Sequence, residues 1–348
     1  MLFIPVFGSA FSMKTFALLA FAFLALLLAG CTQQQSPSLP SPTAFVPAVS
    51  PTIVPTPTAP LKISPSPTAE IRQEPAPKPI SLQVTRDAGT RVNGGSVPFA
   101  FKLDDGRIRL YYCGQGGILS AVSSDGLEFK QESGTRLAGC DPTMVKLDDG
   151  RVRMYYKVSS GPGGPGQAVH KVHSAVSSDG LAFQDEGLRI DSEKTGDKGW
   201  ASVPDAIKLS DGRVRIYYVS GDPEMRGGIA SAISSDGLAF TREQGSRAPE
   251  LVDPAILPLP EGGFALFVAV IGMGGFGPKI PKGIYYLLSP DGLRFEEPKP
   301  LIQEDGVYDP APVWIDGKTI RVFYGKDEGG QQGQPNVVTK SFTAKLVG

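Results

Sequence analysis

The chain is short of the side chains that bind transition metals or attack as thiolates. Its 348 residues include 2 histidines and 3 cysteines, so a zinc site or a thiol enzyme is a poor first expectation. Excess charge is missing too. Lys and Arg number 34 against 35 Asp and Glu, and a net charge of −1 offers no electrostatic footprint for nucleic acid or another polyanion. No repeated segment carries an apolar period of 3.6, which excludes a helical solenoid. Beyond the N-terminus every apolar run is of strand length, so no second membrane span is expected.

Glycine and proline are abundant, at 42 and 32 residues, and their placement divides the chain. Lys14 precedes the apolar run "TFALLAFAFLALLLAG", which leads into Cys31 in the layout of an export signal. "LAGC" (Leu28–Cys31) resembles the lipobox of bacterial lipoproteins. That resemblance implies removal of residues 1–30 and lipidation of Cys31; an uncleaved membrane anchor is the alternative. Thirteen prolines lie between Thr32 and Pro79, mixed with Ser and Thr, a composition that stays extended and cannot pack a core. Residues 31–79 are therefore expected to be a tether and 80–348 the folded domain. The expected location is extracytoplasmic, at the cell surface or the periplasmic face, with a lipid as the only membrane attachment.

The folded part repeats itself. "SAVSSDGLEF" (Ser120–Phe129) returns as "SAVSSDGLAF" (Ser174–Phe183), "SAISSDGLAF" (Ser231–Phe240) and "YLLSPDGLRF" (Tyr286–Phe295). A second word, as in "VPFAFKLDDGRIRLYY" from Val97, recurs from Asp141, Val203, Asp253 and Asp309, with its proline at 98, 142, 204, 254 and 310. Periods of this size mean a stacked or radial architecture. "RIRLYY" alternates at period two, "DDGR" reads as a tight hairpin, and "SSDG" joins a third strand (Ser120–Ser123) to a short fourth (Leu127–Phe129). Five units of four antiparallel strands predict an all-β, five-bladed β-propeller. The last unit lacks a fourth strand, and "LQVTRDAGTRV" (Leu82–Val92) matches the missing piece. An N-terminal strand is therefore expected to close the ring.

Strand parity puts the uniform "DDG" and "SSDG" turns at one end, the bottom, and all loops of variable length at the other, which marks the top as the working face. Four acids start inner strands there: Asp141, Asp253 and Asp309 directly before the shared proline, and Asp205 directly after it. Positions either side of one residue share a strand face, so Asp205 joins the set one step deeper. Each acid could instead cap its own strand turn. Trp200, Tyr308 and Phe276 supply aromatic surface at the top; His170 lies in a top loop, and His173 is expected between blades. Cys113 and Cys140 both fall at the top of neighbouring blades, which allows a disulfide in an exported protein, with two buried free thiols as the alternative.

"DP" opening an inner strand, followed by "DDGR" and a "YY" strand, resembles the furanosidase-type propellers of glycoside hydrolase families 43, 32 and 68. "SSDGLxF" is similar to the Asp-box of sialidase-like propellers, one residue shorter and ending in Phe, which implies a structural role away from the site. The resemblance covers about residues 80–348. It implies an Asp base or nucleophile, a helper Asp and a Glu acid at inner-strand tops. Asp141, Asp253 and Asp309 match the "DP" positions, whereas no Glu matches the acid; Glu250 is the nearest. Two functions follow: a glycosidase in which one crowded Asp keeps its proton, or a module that binds glycan or protein without turnover. Converging oxygens also suit Ca2+ in either case. No other metal or cofactor is expected.

Overall fold

The computed structural model describes residues 80–161, 167–272, 277–329 and 336–347. The segments expected to be signal sequence and tether, with Cys31, and also Phe276 lie outside these residues.

The described chain is five four-stranded antiparallel sheets set around one axis. The first blade comprises Ser96–Lys102, Ile108–Gly114, Gly117–Ser123 and Lys130–Gln131, and the second Cys140–Lys146, Val152–Ser160, Val169–Ser177 and Gln184–Ile190. The third is Ala201–Lys208, Val214–Ser220, Ile229–Ser234 and Thr241–Arg242; the fourth is Val252–Pro258, Phe264–Val270, Gly283–Ser289 and Lys299–Gln303. Val307–Trp314, Thr319–Asp327 and Val337–Val347 begin the fifth. Ser81–Arg86 completes it, pairing in register from Ser81 opposite Val347 to Arg86 opposite Phe342. The expected closure is thus present. Among the described residues the one helix is a 3-10 turn, Pro223–Met225, and no helix is long and apolar enough to cross a membrane.

The fourth strands start later than expected. In the first blade the strand begins at Lys130, not at Leu127, because the N–H groups of Leu127 and Glu128 bond the Asp125 carboxylate at 2.8 and 3.0 Å instead of a ladder partner. Ser123 Oγ donates to the same carboxylate and accepts the Gly126 N–H, so each "SSDG" is a closed polar turn. The turn also joins blades. Tyr111 Oη donates to the Gly180 carbonyl of the next blade at 2.8 Å, beside Arg109, which bonds the Asp179 carbonyl and pairs with Glu132. Tyr155 with Arg153 and Tyr217 with Arg215 repeat this on Gly237 and Gly292. A Cβ on Gly180 would come within 2.6 Å of Tyr111 Oη, which explains the glycine.

The fifth blade keeps the Arg (Arg321) but has Phe323 at the Tyr position, and the fourth breaks the pattern at both, with Ala265 and Phe267. Its neighbour is the closing blade, whose outer strand arrives from the N-terminal side and brings no such turn. There are no turn carbonyls to bind, and apolar residues fill the seam with Ala255, Val322 and Phe342.

Candidate functional site

The five inner strands surround a channel of about 510 Å³, ringed by Pro98, Pro142, Pro204, Pro254 and Pro310. The residue before each proline has a left-handed backbone: φ is 47° at Val97, 54° at Asp141, 47° at Val203, 55° at Asp253 and 53° at Asp309. That conformation is unfavourable for any non-glycine residue and most so for valine. Each sits in a one-residue bulge, as between Cys140 and Thr143 opposite Lys157 and Tyr155. Simple strand parity therefore fails at these positions. Bulges that re-aim side chains are a feature of sites, and backbone strain clusters there.

The bulge gives each pre-proline acid a neighbour across the seam. Asp141 Oδ2 accepts the Val203 N–H at 3.0 Å, Asp253 Oδ2 accepts the Asp309 N–H at 3.2 Å, and the Asp309 carboxylate is bonded by the Val97 N–H. So each acid does serve an amide, but in the next blade and not in its own turn. Asp205 lies one layer deeper. Its Oδ1 accepts from the Thr143 hydroxyl at 2.8 Å and its Oδ2 from the Ile256 N–H at 2.6 Å.

Electrostatics separate the acids. Asp141, Asp253 and Asp309 are buried, at 1%, 7% and 8% exposure, and their charges act on one another. Burial first, then the Asp141 charge, lifts Asp253 to about 6. Asp309 is held well above the ordinary carboxylate range by burial and then by Asp253 and Asp141. The Asp205 carboxyl rises to about 7 by burial alone, against the bonds from Ile256 and Thr143.

Lys157, which sequence reasoning did not single out, pairs with Asp141 at 2.7 Å. It occupies the position that Cys113 holds in the preceding blade, and both side chains reach Asp141, Lys157 from within its own blade and Cys113 from across the seam.

The aromatic candidates also gather here. Val219, Val252 and Ala269 form a small core over which Trp200, Val203, Ile271 and Tyr308 pack. His170 meets Trp200 edge-on, with ring centroids 4.1 Å apart, and its Nδ1 lies 2.8 Å from Ser159 Oγ. Burial and the Lys157 charge push the His170 pKa down, opposed by Asp141. Tyr308 lies against Gly325, where a Cβ would come within 2.7 Å of its ring; its hydroxyl is pushed up to about 12 by burial and then by Asp309. His173 sits by Tyr156, centroids 6.1 Å apart, away from the acids. Glu250 is bound to Arg226.

Cys113 and Cys140 are joined by a disulfide with Cα atoms 5.1 Å apart. For metal binding, the group of three among the described residues whose donor atoms lie within 4.8 Å of one another is Cys113, Cys140 and Asp141. Among those residues the three pre-proline acids do not form such a group.

No protein-family profile matches the chain, and no curated protein matches its sequence. Solved structures do match in fold. The chain is similar to a family 117 glycoside hydrolase of Zobellia galactanivorans, at 15% identity and TM-score 0.56, over 76% of this chain and 90% of that one. It is similar to a Bombyx mori family 32 beta-fructofuranosidase in complex with sucrose, at 15% identity and TM-score 0.55, over 72% of this chain and 61% of that one. An N-acetylgalactosamine deacetylase from F. plautii, in complex with blood group B trisaccharide, matches at 14% identity and TM-score 0.52, over 76% and 95%. The protein is thus a five-bladed β-propeller whose solved neighbours include glycoside hydrolase propellers.

Proposed function

We propose that the top of the channel is a carbohydrate site and that the protein is an extracytoplasmic lipoprotein presenting it from a tether. The observation that carries this reading is the convergence of Asp141, Asp253 and Asp309 from three blades, beside a wall formed by Trp200, Tyr308 and His170. Aromatic faces stack on sugar rings, and buried carboxyls accept or donate to their hydroxyls. The adjacent pair Asp253 and Asp309 retains a proton towards neutral pH, because burial disfavours the charged form and both cannot ionise cheaply side by side. The protonated member can give that proton to a leaving glycosidic oxygen, the role a Glu fills in the resembled families. Lys157 lies against Asp141 and is not paired with Asp253 or Asp309, so the carboxyls of one site stand in different surroundings. That is the division of labour hydrolysis needs.

One observation favours binding without turnover. Asp141 is 1% exposed and spends one oxygen on both Lys157 and the Val203 N–H, which limits its approach to a substrate. The full-length protein in detergent, assayed on a panel of aryl glycosides and on a glycan array, separates the readings. Hydrolysis predicts turnover that Asp253→Asn and Asp309→Asn each lower by about 100-fold or more, with the fold retained. Array signal without turnover selects the binding module. Variants that lose thermal stability while activity stays unchanged would remove the acids from the site.

A further inference from the structure

We infer that Cys113, Cys140 and Asp141 form a redox-gated site for a borderline-soft divalent cation such as Zn2+, open when the disulfide is reduced and closed when it is formed. Five seams join the second strand of one blade to the inner strand of the next, and the residues at this level differ from seam to seam. The third seam uses Val219 against Val252, and the fourth Ala269 against Tyr308, ordinary apolar packing within one small core. The fold holds these seams without a covalent link, so the fold alone does not account for two cysteines at the first.

The donors already stand together, the two sulfurs through their own bond. Both sulfurs and an Asp141 oxygen lie within 4.8 Å of one another. Asp141 Oδ1 is 3.8 Å from Cys113 Sγ, and the Asp141 N–H points at that sulfur at 3.0 Å. Ligands bound to zinc at about 2.3 Å for sulfur and 2.0–2.2 Å for oxygen lie about 3–4 Å apart, the spacing this cluster approaches once the sulfurs separate. The other oxygen, Oδ2, is fixed by the Val203 N–H at 3.0 Å and Lys157 at 2.7 Å, which aims Oδ1 at the sulfurs. Outer partners of this kind set a metal ligand's orientation and basicity. Charge also balances: two thiolates and one carboxylate offset the divalent ion together with the Lys157 ammonium. Two cysteines and one carboxylate leave the fourth tetrahedral position to water.

The chemistry is balanced through a thiol or phosphine reductant, which supplies two electrons while two protons convert the disulfide to two thiols. Metal binding then releases both thiol protons. In the oxidised protein the sulfur electron pairs stay in the S–S bond and the site is closed.

The test is a Co2+ titration of the full-length chain in detergent, carrying Cys31→Ala so that position 31 offers no sulfur. A phosphine-reduced sample is compared with an untreated one. The reduced protein should bind one equivalent, with thiolate-to-cobalt charge-transfer absorption and the strong visible bands of tetrahedral Co2+, displaced by Zn2+. The untreated protein should show neither. Cys113→Ser should abolish the charge-transfer pattern of two thiolates. Asp141→Asn should weaken binding at least 10-fold, and Lys157→Gln by about 10-fold, the usual effect of an outer partner. Should reduction lower the melting temperature, Zn2+ must raise it again. No charge-transfer band in the reduced protein, equal binding in the untreated one, or unchanged affinity in Asp141→Asn would each overturn the assignment.

Discussion

Asp205→Asn offers the sharpest test of how the deeper carboxyl is held. Asp205 carries its proton more tightly folded than unfolded, because burial lifts it from 3.8 to about 7. The sign follows from linkage: the folded state binds the extra proton, so stability is lost as pH rises from about 4 through about 7 and stays lost above. At 1.36 kcal/mol per tenfold change in proton affinity, the cost grows by about 3 kcal/mol between pH 5 and pH 8. A domain of this size shifts roughly 2–4 °C per kcal/mol, so this one group should tilt the melting curve by roughly 6–12 °C over that range. Asparagine keeps an oxygen for the Ile256 N–H, while its amide turns the Thr143 contact around at about 1 kcal/mol. The variant should therefore melt above the wild type at pH 8 and close to or below it at pH 5. The assay is differential scanning calorimetry of both proteins at four pH values. Asp253 and Asp309 contribute equally to both curves and cancel. Parallel melting curves, with the same pH slope in both proteins, would show that Asp205 does not hold a proton at neutral pH.

Three further outcomes are expected. Gly180→Ala, with φ at +70° and the Tyr111 hydroxyl 2.6 Å from the new Cβ, should cost about 3 kcal/mol, whereas Gly150→Ala in an open turn should cost about 1 in the same urea titrations. Equal costs would mean that the interblade contact is not tight. Glu243→Gln leaves Arg215 buried with half its partner, since Glu243 takes both Nε and Nη2, and should lower stability by about 3 kcal/mol by denaturant unfolding. Cys31→Ala should abolish incorporation of labelled fatty acid; undiminished labelling would reject the lipobox.

The fold was legible because its words repeat. The shared proline and the "DDGR" and "SSDG" turns give strand count, blade count and the orphan strand without any knowledge of packing. The site was legible only in outline. Asp141, Asp253 and Asp309 stood out by position, but the left-handed bulge did not, since Val97 and Val203 are residues that resist positive φ. Such a conformation is imposed by the ring, not by local preference. Lys157 was hidden because its partner lies within the same blade only after the bulge turns Asp141 back. The Arg–Tyr contacts with the "SSDG" turns were equally hidden, as they cross from one blade to the next. Their signature was nevertheless in the chain: the Arg of the "R-x-Y" word is kept at Arg321 and lapses at Ala265, in the blade that faces the closing one.

The closing strand has a consequence for the order of assembly. Ser81 bonds Val347 across a separation of 266 residues, and Ile80 receives the Tyr286 hydroxyl from the fourth blade. Four blades can each complete from their own contiguous segment as it emerges. The fifth cannot, because residues 81–86 must wait, unpaired, for 337–347. Until then both carry bare strand edges, the form most open to pairing with another molecule. Non-local closure of this kind is slow relative to hairpin formation. Refolding should accordingly show four blades' worth of protected amides early, with the amides of 81–86 and those of 337–347 that face them gaining protection together and last.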